Sequence, residues 1–584
     1  MRNYDRVNAR KPHDIDRRRA YIVGGGVAGL AAAAFLIKDG HMPGHNIRIF
    51  EQLPIEGGSM DGSGDAAPGY VTRGDRELEP NMECLWYLCS FIPSLEEPDR
   101  TVLDETRESN QLLPINSQYR LVENKFVKRD YASMGLSPAD QDALVKMLLT
   151  TESELENVSI GDWFPESFFS SNLWYFWSSM LAFKRVHSLI EMQRYAIRFI
   201  QHLPGIDHLR GILHTKYNQY DSIIAPVRTW VTAHGVTIET DAEVIDLDID
   251  FGRAGDVETK TVTGIHFIAD DRERIIEVRP DDLVLVTNGS MTQNSTRGSM
   301  TAPAVRNNDT EHRGCFSLWE KLAARSKDFG NPAKFIGDPD ATFWLSWTLT
   351  ITAYPQLVDY ITKTTGNQPG TGGIITMVDS AWFKSFHVPV QPNFPGQPDN
   401  VQVLWGYGLY PTEIGDYVNK PMFECTGEEI LRELLYHIGL ADQINEIVPH
   451  CVLIPTMMPY ITSQFMPRIL TDRPRVIPSG SVNLGFIGQF VELPGDVVFT
   501  VETSVRTAME AVYGLLALDR PVTPLYQGQY DVRVLQAAAK RMLGGEGFSL
   551  KSLAHDPLEV PKILSLIARE LRSVPEITEH DIAY

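Results

Sequence analysis

The sequence predicts an α/β fold: a discontinuous Rossmann-like domain, an inserted mixed α+β substrate domain and a helical C-terminal segment. Three observations carry this. An apolar run ends in a glycine cluster and continues as an Ala-rich helical stretch within residues 21–38. Further strand patterns return far downstream, at residues 235–239, 282–287 and 484–489. The long segments between them hold helical, aromatic and Pro/Gly-rich patterns of their own. A parallel sheet fed from such separated stretches has other layers threaded between its strands.

Residues 21–29 read YIVGGGVAG, a strand running into a tight turn, and residues 30–38 follow as helix. A second strand, residues 46–50, ends at Glu51. Strand, turn, helix, strand is half of a dinucleotide-binding unit. Residues 56–64 are glycine-rich and read as loop. Residues 137–203 are helical and aromatic, with Trp163, Phe164, Phe168, Phe169, Trp174, Phe176 and Trp177 crowded together; such a run suits either plain core or the wall of an apolar tunnel. Ser188-Leu-Ile-Glu191 and Thr426-Gly-Glu-Glu429 both have the spacing of a capping box, and Gly439 stops the second of these helices. Another helix is expected from about Thr500. Near the end, Ile563, Leu564, Ile567 and Leu571 share one helical face. The expected organisation is a basic tail (1–19), a dinucleotide-binding domain (20–115, 221–300 and 470–520), substrate-binding material (116–220 and 301–469) and a helical C-terminal region (521–584).

Composition narrows the classes. A net charge of −22 opposes a nucleic-acid partner, whose phosphates the average surface would repel. Seven Lys/Arg against three Asp in residues 1–19 suit an untethered tail, or contact with an acidic membrane surface. The apolar stretch at residues 28–37 is far shorter than the roughly 20 residues of a membrane span, and no secretory cleavage site follows it. The five cysteines make no CxxC and no metal-ligand spacing, so a metal site is not expected and a reducing cytoplasm is.

Gly24-Gly-Gly26-Val-Ala-Gly29 matches GxGxxG. Gly24 permits the tight turn, Gly26 lets a pyrophosphate approach the backbone, and Gly29 lets helix and strand pack closely. Glu51, about twenty residues on, is placed for ribose hydroxyls. FAD is favoured over NAD by the N-terminal position, by the late strand at 484–489, and by residues 496–504 leading into a helix whose N–H groups could face a flavin. No second GxGxxG supplies an NAD(P)H domain. Expected cofactor contacts are Gly24, Gly26, Val27, Ala28, Gly29 and Glu51 from the motif, with Gly58, Ser59, Arg73, Gly74, Val244, Ser290, Phe499, Thr500 and Ser504 from the segments that return to it.

Residues 70–94, YVTRGDRELEPNMECLWYLCSFIPS, resemble a segment of the oleate hydratases, also called myosin-cross-reactive antigens, whose loop reads RGGREM. The resemblance continues through KYNQYD (216–221), TGGIIT (371–376), ECTG (424–427), MPYITS (458–463), GQFVE (488–492), DVVFT (496–500) and SVRTA (504–508). It implies an FAD enzyme that adds water to an isolated double bond of a long-chain unsaturated fatty acid, with no net redox change and best activity when the flavin is reduced. By the same resemblance Glu77 activates the water and Tyr195 protonates the alkene. Gln219, His387 and Asn393 fall on segments linked to the fatty-acid carboxylate. The partners implied are the fatty acid and, at most, peripheral membrane contact, in a monomer or homodimer.

The chemistry asks for an acid, a base holding water, and a dry apolar channel. Arg73 and Arg76 beside Glu77 would favour its ionised form, and burial would oppose it. Three positions depart from the family pattern: Asp75 stands where the loop has a second glycine, His387 and Pro389 stand where Thr and Asn are usual, and Val186 stands for a tryptophan. The alternatives are an FAD-dependent double-bond isomerase, an amine-oxidase-like oxidoreductase, and a fatty-acid-binding flavoprotein.

Overall fold

The computed structural model describes residues 9–310 and 313–542, so the expected helical face at 563–571 lies outside the described residues. Five parallel strands form the first sheet, in the order Leu484–Ile487, Leu283–Thr287, Ala20–Val23, Ile47–Phe50, Thr237–Glu239. All are short, and all but the edge strand Thr237–Glu239 are almost continuously apolar because both faces of the sheet are covered there. Helices Val27–Lys38 and Val501–Leu515 pack against one another over it. Ala31, Ala32, Ala33 and Ala34 are completely buried there, and their small side chains permit the close approach.

The chain leaves this sheet after Ile47–Phe50 and returns at Thr237–Glu239, leaves again for a three-stranded antiparallel sheet (Ala242–Ala254, Val257–Ala269, Arg272–Glu277), and leaves last after Leu283–Thr287. Most of what lies between Leu283–Thr287 and Leu484–Ile487 builds an eight-stranded mixed sheet. Its centre is Trp344–Thr352, paired antiparallel to Val401–Gly408 on one side and Cys451–Met458 on the other. Leu121–Glu123, from the earlier insertion, joins it parallel to Ile375–Met377. The fold is therefore a Rossmann-like α/β domain with inserted layers, as the scattered strands predict.

The hairpin Gly62–Asp65/Gly69–Thr72 links the two sheets. Tyr70 and Thr72 donate their backbone N–H groups to the Thr350 and Thr348 hydroxyls at 2.8 and 3.0 Å. The chain then crosses between the sheets as the loop 73–78. Part of the glycine-rich stretch 56–64 is thus strand rather than loop.

Two local expectations are corrected. Residues 9–19 are docked: Ile15 is fully buried, His41 bonds the Ala9 carbonyl at 2.9 Å, and the Arg19 N–H donates to Asp282 at 2.8 Å. Ser188 begins the helix Leu189–Arg198 without capping it. Its expected partner Glu191 is instead drawn into a buried ion cluster with Arg468 and Arg473, both at 2.9 Å, and that stronger interaction wins. At Thr426 the box forms, with reciprocal bonds to Glu429 at 3.3 and 2.8 Å, and Gly439 ends the helix at φ 80°.

Candidate active site

At the carboxyl ends of the parallel strands lies a cleft of about 370 Å³. Of the residues expected at a cofactor, Gly24, Gly26, Val27, Ala28, Glu51, Gly58, Ser59, Arg73, Val244, Ser290 and Ser504 line it. Gly29 does not: a Cβ there would stand 2.0 Å from the Gly24 carbonyl oxygen, so this glycine serves helix–strand packing. Gly74 lies beneath Arg76, and Phe499 and Thr500 face a second cavity. The helix Val27–Lys38 starts at Gly26 with no side-chain cap, leaving its first amides toward the cleft, where an anionic group is favoured. Glu51 accepts from the Gly25 and Leu53 N–H groups at 2.8 and 2.9 Å, one on each oxygen. Each oxygen keeps a lone pair for a ribose hydroxyl. The buried Thr287 hydroxyl, also on the cleft wall, has no partner among the described residues. These features fit a dinucleotide. The second helix differs from expectation, since Thr500 Oγ1 already accepts the Thr503 N–H at 3.2 Å.

Beside the cleft, a cavity of about 130 Å³ is walled by Leu181, Phe199, Trp344, Ile374, Trp405, Tyr407 and Phe499, and both Glu77 and Tyr195 reach it. The loop bearing Glu77 is pinned at its ends, by Thr72 on Thr348 and by the reciprocal Leu78–Leu213 backbone bonds at 2.8 and 2.7 Å. Burial raises the Glu77 pKa above the ordinary carboxylate value; Arg120 and His387 oppose the rise, and Asp75 adds to it. So burial outweighs the cations, and the cations are not those expected from the sequence. Arg73 turns to Asp61 at 2.7 Å and to the cleft, while Arg76 reaches the Ser59 carbonyl at 3.3 Å and lies over the Phe499 ring. Arg120 is buried, bonded to the Ile374 and Ile206 carbonyls at 2.9 and 2.7 Å, with one guanidinium nitrogen unpartnered among the described residues.

Tyr195 lies on the second turn of Leu189–Arg198, fixed edge-on against Phe183 and Phe465. Its hydroxyl donates to the Val498 carbonyl. Burial, with Glu191 and Asp496 nearby, pushes its pKa well above 10, so the phenol is protonated.

The three residues expected at a substrate carboxylate do not line the cavity. Gln219 and His387 converge instead on Asp75, the Gln219 amide at 2.9 Å and the His387 Nδ1 paired with the other carboxylate oxygen. Asn393 is held by its backbone, accepting from Asn218 N–H and side-chain amide at 2.9 Å each. An internal carboxylate has taken the donors that the sequence reading assigned to a ligand.

The sequence profile of the MCRA family matches residues 17–513. The chain belongs to the MCRA family. It is 44% identical over 547 residues to the oleate hydratase of Streptococcus pyogenes serotype M49 (strain NZ131), covering 92% of each chain. It is 32% identical over 578 residues to the linoleate hydratase of Lactiplantibacillus plantarum, covering 90% of this chain and 98% of that one. In fold it is similar to putrescine oxidase bound to putrescine, with a TM-score of 0.51 at 14% identity over 86% of this chain and 99% of that one.

Several wall residues of this MCRA-family chain were not among those expected. Trp405 and Tyr407 alternate along Val401–Gly408 and so share a face, a two-residue period that was visible in the sequence. Gln489 was harder to foresee. Its amide donates to the Thr500 carbonyl and the Ser504 hydroxyl, both at 2.8 Å, and its oxygen accepts the Phe499 N–H, which holds Phe499 at φ 74° between the two cavities. The aromatic segment divides: Phe164, Phe168, Phe169, Trp174 and Phe176 are core, and its far end, residues 179–182, reaches the cavity.

Proposed function

We propose that this protein is an FAD-dependent fatty acid hydratase, adding water across an isolated cis double bond of a long-chain unsaturated fatty acid, in the manner of oleate to 10-hydroxystearate. One observation carries the reading: a carboxyl and a phenol open into the same apolar-walled cavity beside a dinucleotide cleft. The oleate and linoleate hydratases among its relatives support it.

FAD would be held by the glycine turn, Glu51, the 58–59 turn, Arg73, Val244, Ser290 and Ser504; bound, and best in its reduced state, it would supply electrostatic stabilisation without net electron transfer. The chain's own side chains do the rest. Tyr195 gives its proton to one alkene carbon, leaving the Val498 carbonyl to do so. Water adds to the other carbon as Glu77 takes one of its protons. A raised Glu77 pKa suits a base working near neutrality, because the best catalytic pKa lies close to the working pH. The indole and phenyl walls keep other water away from the cationic carbon. Burying about a dozen methylenes at ~0.8 kcal/mol each supplies on the order of 10 kcal/mol before ordering costs.

We assign residues 20–115, 221–300 and 470–520 to the cofactor-binding domain and 116–220 with 301–469 to the substrate side. No described helix is long and apolar enough to cross a membrane. We propose a cytoplasmic monomer or homodimer with at most peripheral membrane contact. Anaerobic incubation with oleate, reduced FAD and H₂¹⁸O tests the reading. One labelled oxygen in a hydroxy acid, without flavin turnover, is the expected result. A displaced double bond, or stoichiometric flavin bleaching in a parallel anaerobic incubation begun with oxidised FAD, would replace it with an isomerase or an amine-oxidase-like oxidoreductase, and binding without product with a fatty-acid-binding flavoprotein.

A further inference from the structure

The loop that carries Glu77 has a tether at its middle as well as at its ends. Asp75 stands two residues before Glu77 and is bonded by groups from two distant segments: Gln219, just before the turn Tyr220–Ile224, at 2.9 Å, and His387, the last residue of the strand Lys384–His387. Gln219 and His387 are both buried, at 5% and 8% exposure. Asp75 itself is half-buried at the edge of the cavity, and a polar cluster with buried members persists there only when its donors and acceptors match. Here they do, since one carboxylate meets an amide and an imidazole.

We propose that Asp75, His387 and Gln219 form a clamp that positions Glu77, with His387 adding to Arg120 in favouring the ionised carboxylate. His387 and Gln219 are positioning residues in this scheme, acting through Asp75 and Glu77 rather than on substrate. Each part has a physical reason. Without the clamp, residues 74–77 form no strand or helix and are held by their end anchors and by Arg76, through the Ser59 carbonyl and the Phe499 ring. The charged groups felt by Glu77 are Arg120, His387 and Asp75, with the Tyr407 phenol also coupled to it. Asp75 is held down to about 2 by its partners, above all His387, and so is ionised. His387 is raised by Asp75, by Glu77 and by a backbone bond at Gly372, against the pull of burial. Each partner thus favours the charged form of the other, and the two charges act on Glu77 in opposite senses.

That opposition makes the test specific. Removing the His387 cation leaves Arg120 alone to oppose burial and Asp75, so Glu77 becomes harder to ionise. Removing the Asp75 charge takes away a neighbouring anion and, by lowering the His387 pKa, a neighbouring cation, so the two losses offset. The kinetic arm rests on the hydratase reading; a hydrogen-exchange arm does not. With the FAD-loaded holoenzyme and oleate, H387Q is expected to move the acidic limb of kcat/KM upward by about one pH unit, with lower kcat and little change in KM. D75N should lower kcat with a smaller displacement of that limb. Backbone hydrogen exchange across residues 74–77 should be several-fold faster in D75N than in wild type, while flavin absorbance shows the fold intact. A limb that stays in place in H387Q, or unchanged exchange in D75N, overturns the clamp. If wild type forms no hydroxy acid, the hydratase reading fails on its own, and hydrogen exchange still decides whether the clamp exists.

Discussion

The two cavities of this protein are built in opposite ways. The cleft at the strand ends is mostly backbone: a glycine turn, an uncapped helix start, strand ends and one carboxylate whose oxygens are fixed by neighbouring amides. The cavity beside it is mostly side chain, gathered from residues 77, 181, 195, 344, 374, 405 and 499. Backbone recognition needs a local shape, which a short motif can specify. Side-chain chemistry at an apolar site needs groups from distant parts of the chain held in one place, which only the tertiary fold can supply. Substitutions in the two regions should therefore fail differently.

The largest effect is expected at Glu77. Glu77→Ala should lower hydration by about 10²–10⁴-fold, the usual contribution of a positioned acid or base, and leave flavin absorbance unchanged, because residue 77 does not line the cleft. Burial opposes the charge on this carboxylate, so the variant should melt at the same temperature as wild type or higher. In wild type the same raised pKa predicts that kcat/KM falls, as pH is lowered, at a pH above the ordinary carboxylate value of 4.5. A Glu77→Ala enzyme with near-normal turnover would remove the carboxylate from the chemistry.

Tyr195→Phe comes next. It deletes the proton donor and the bond to Val498, so kcat should drop by about 10²-fold with KM little changed and stability lower by about 1 kcal/mol. A change confined to KM would make Tyr195 part of the wall.

These two residues also mark how far the sequence reaches. The strand–turn–helix of the glycine motif, the parallel strands and the helix caps at Thr426 and Gly439 follow from local patterns, and the structure bears them out; Glu51 stands at its strand end on the cleft wall. The family resemblance pointed to Glu77 and Tyr195, but not to their surroundings. Arg73 and Arg76 neighbour Glu77 in sequence, yet each is captured by a nearer acceptor, Asp61 for one and the Ser59 carbonyl for the other. Arg120, forty-three residues downstream of Glu77, takes the electrostatic role because Leu121–Glu123 happens to join the far sheet beside Ile375–Met377. Ser188 loses its cap for the same kind of reason: Glu191 finds two arginines from residues 468–473. Charged side chains choose the best partner the fold offers, and sequence distance says little about which that is.

Within the cleft, two glycines separate packing from ligand contact. Gly29→Ala places a methyl 2.0 Å from the Gly24 carbonyl oxygen, so helix and strand must part, at a cost of about 1–3 kcal/mol, and apo and holo protein should both melt lower. At Gly26 the nearest atom to a new methyl is the Gly58 Cα, 3.7 Å away. Gly26→Ala should therefore fold normally and lose only cofactor retention, measured by flavin release on dilution. Equal loss of stability in both variants would mean that the cleft, too, is held by packing alone.

The smallest effect on turnover is expected at the link between the two regions. Thr348 is fully buried, accepting the Thr72 N–H at 3.0 Å and donating to the Thr72 carbonyl at 3.2 Å. Thr348→Val keeps the shape and strands both backbone groups in a dry interface, which should cost about 1–3 kcal/mol, read as a lower melting temperature. Catalysis should change least of all, because the loop beyond Thr72 is still held by Leu78 on Leu213 and by the Asp75 cluster. Turnover that collapses while the melting point holds would reverse this ranking. It would mean that the hairpin, through a single hydroxyl, sets the position of Glu77 more tightly than the loop's own tethers do.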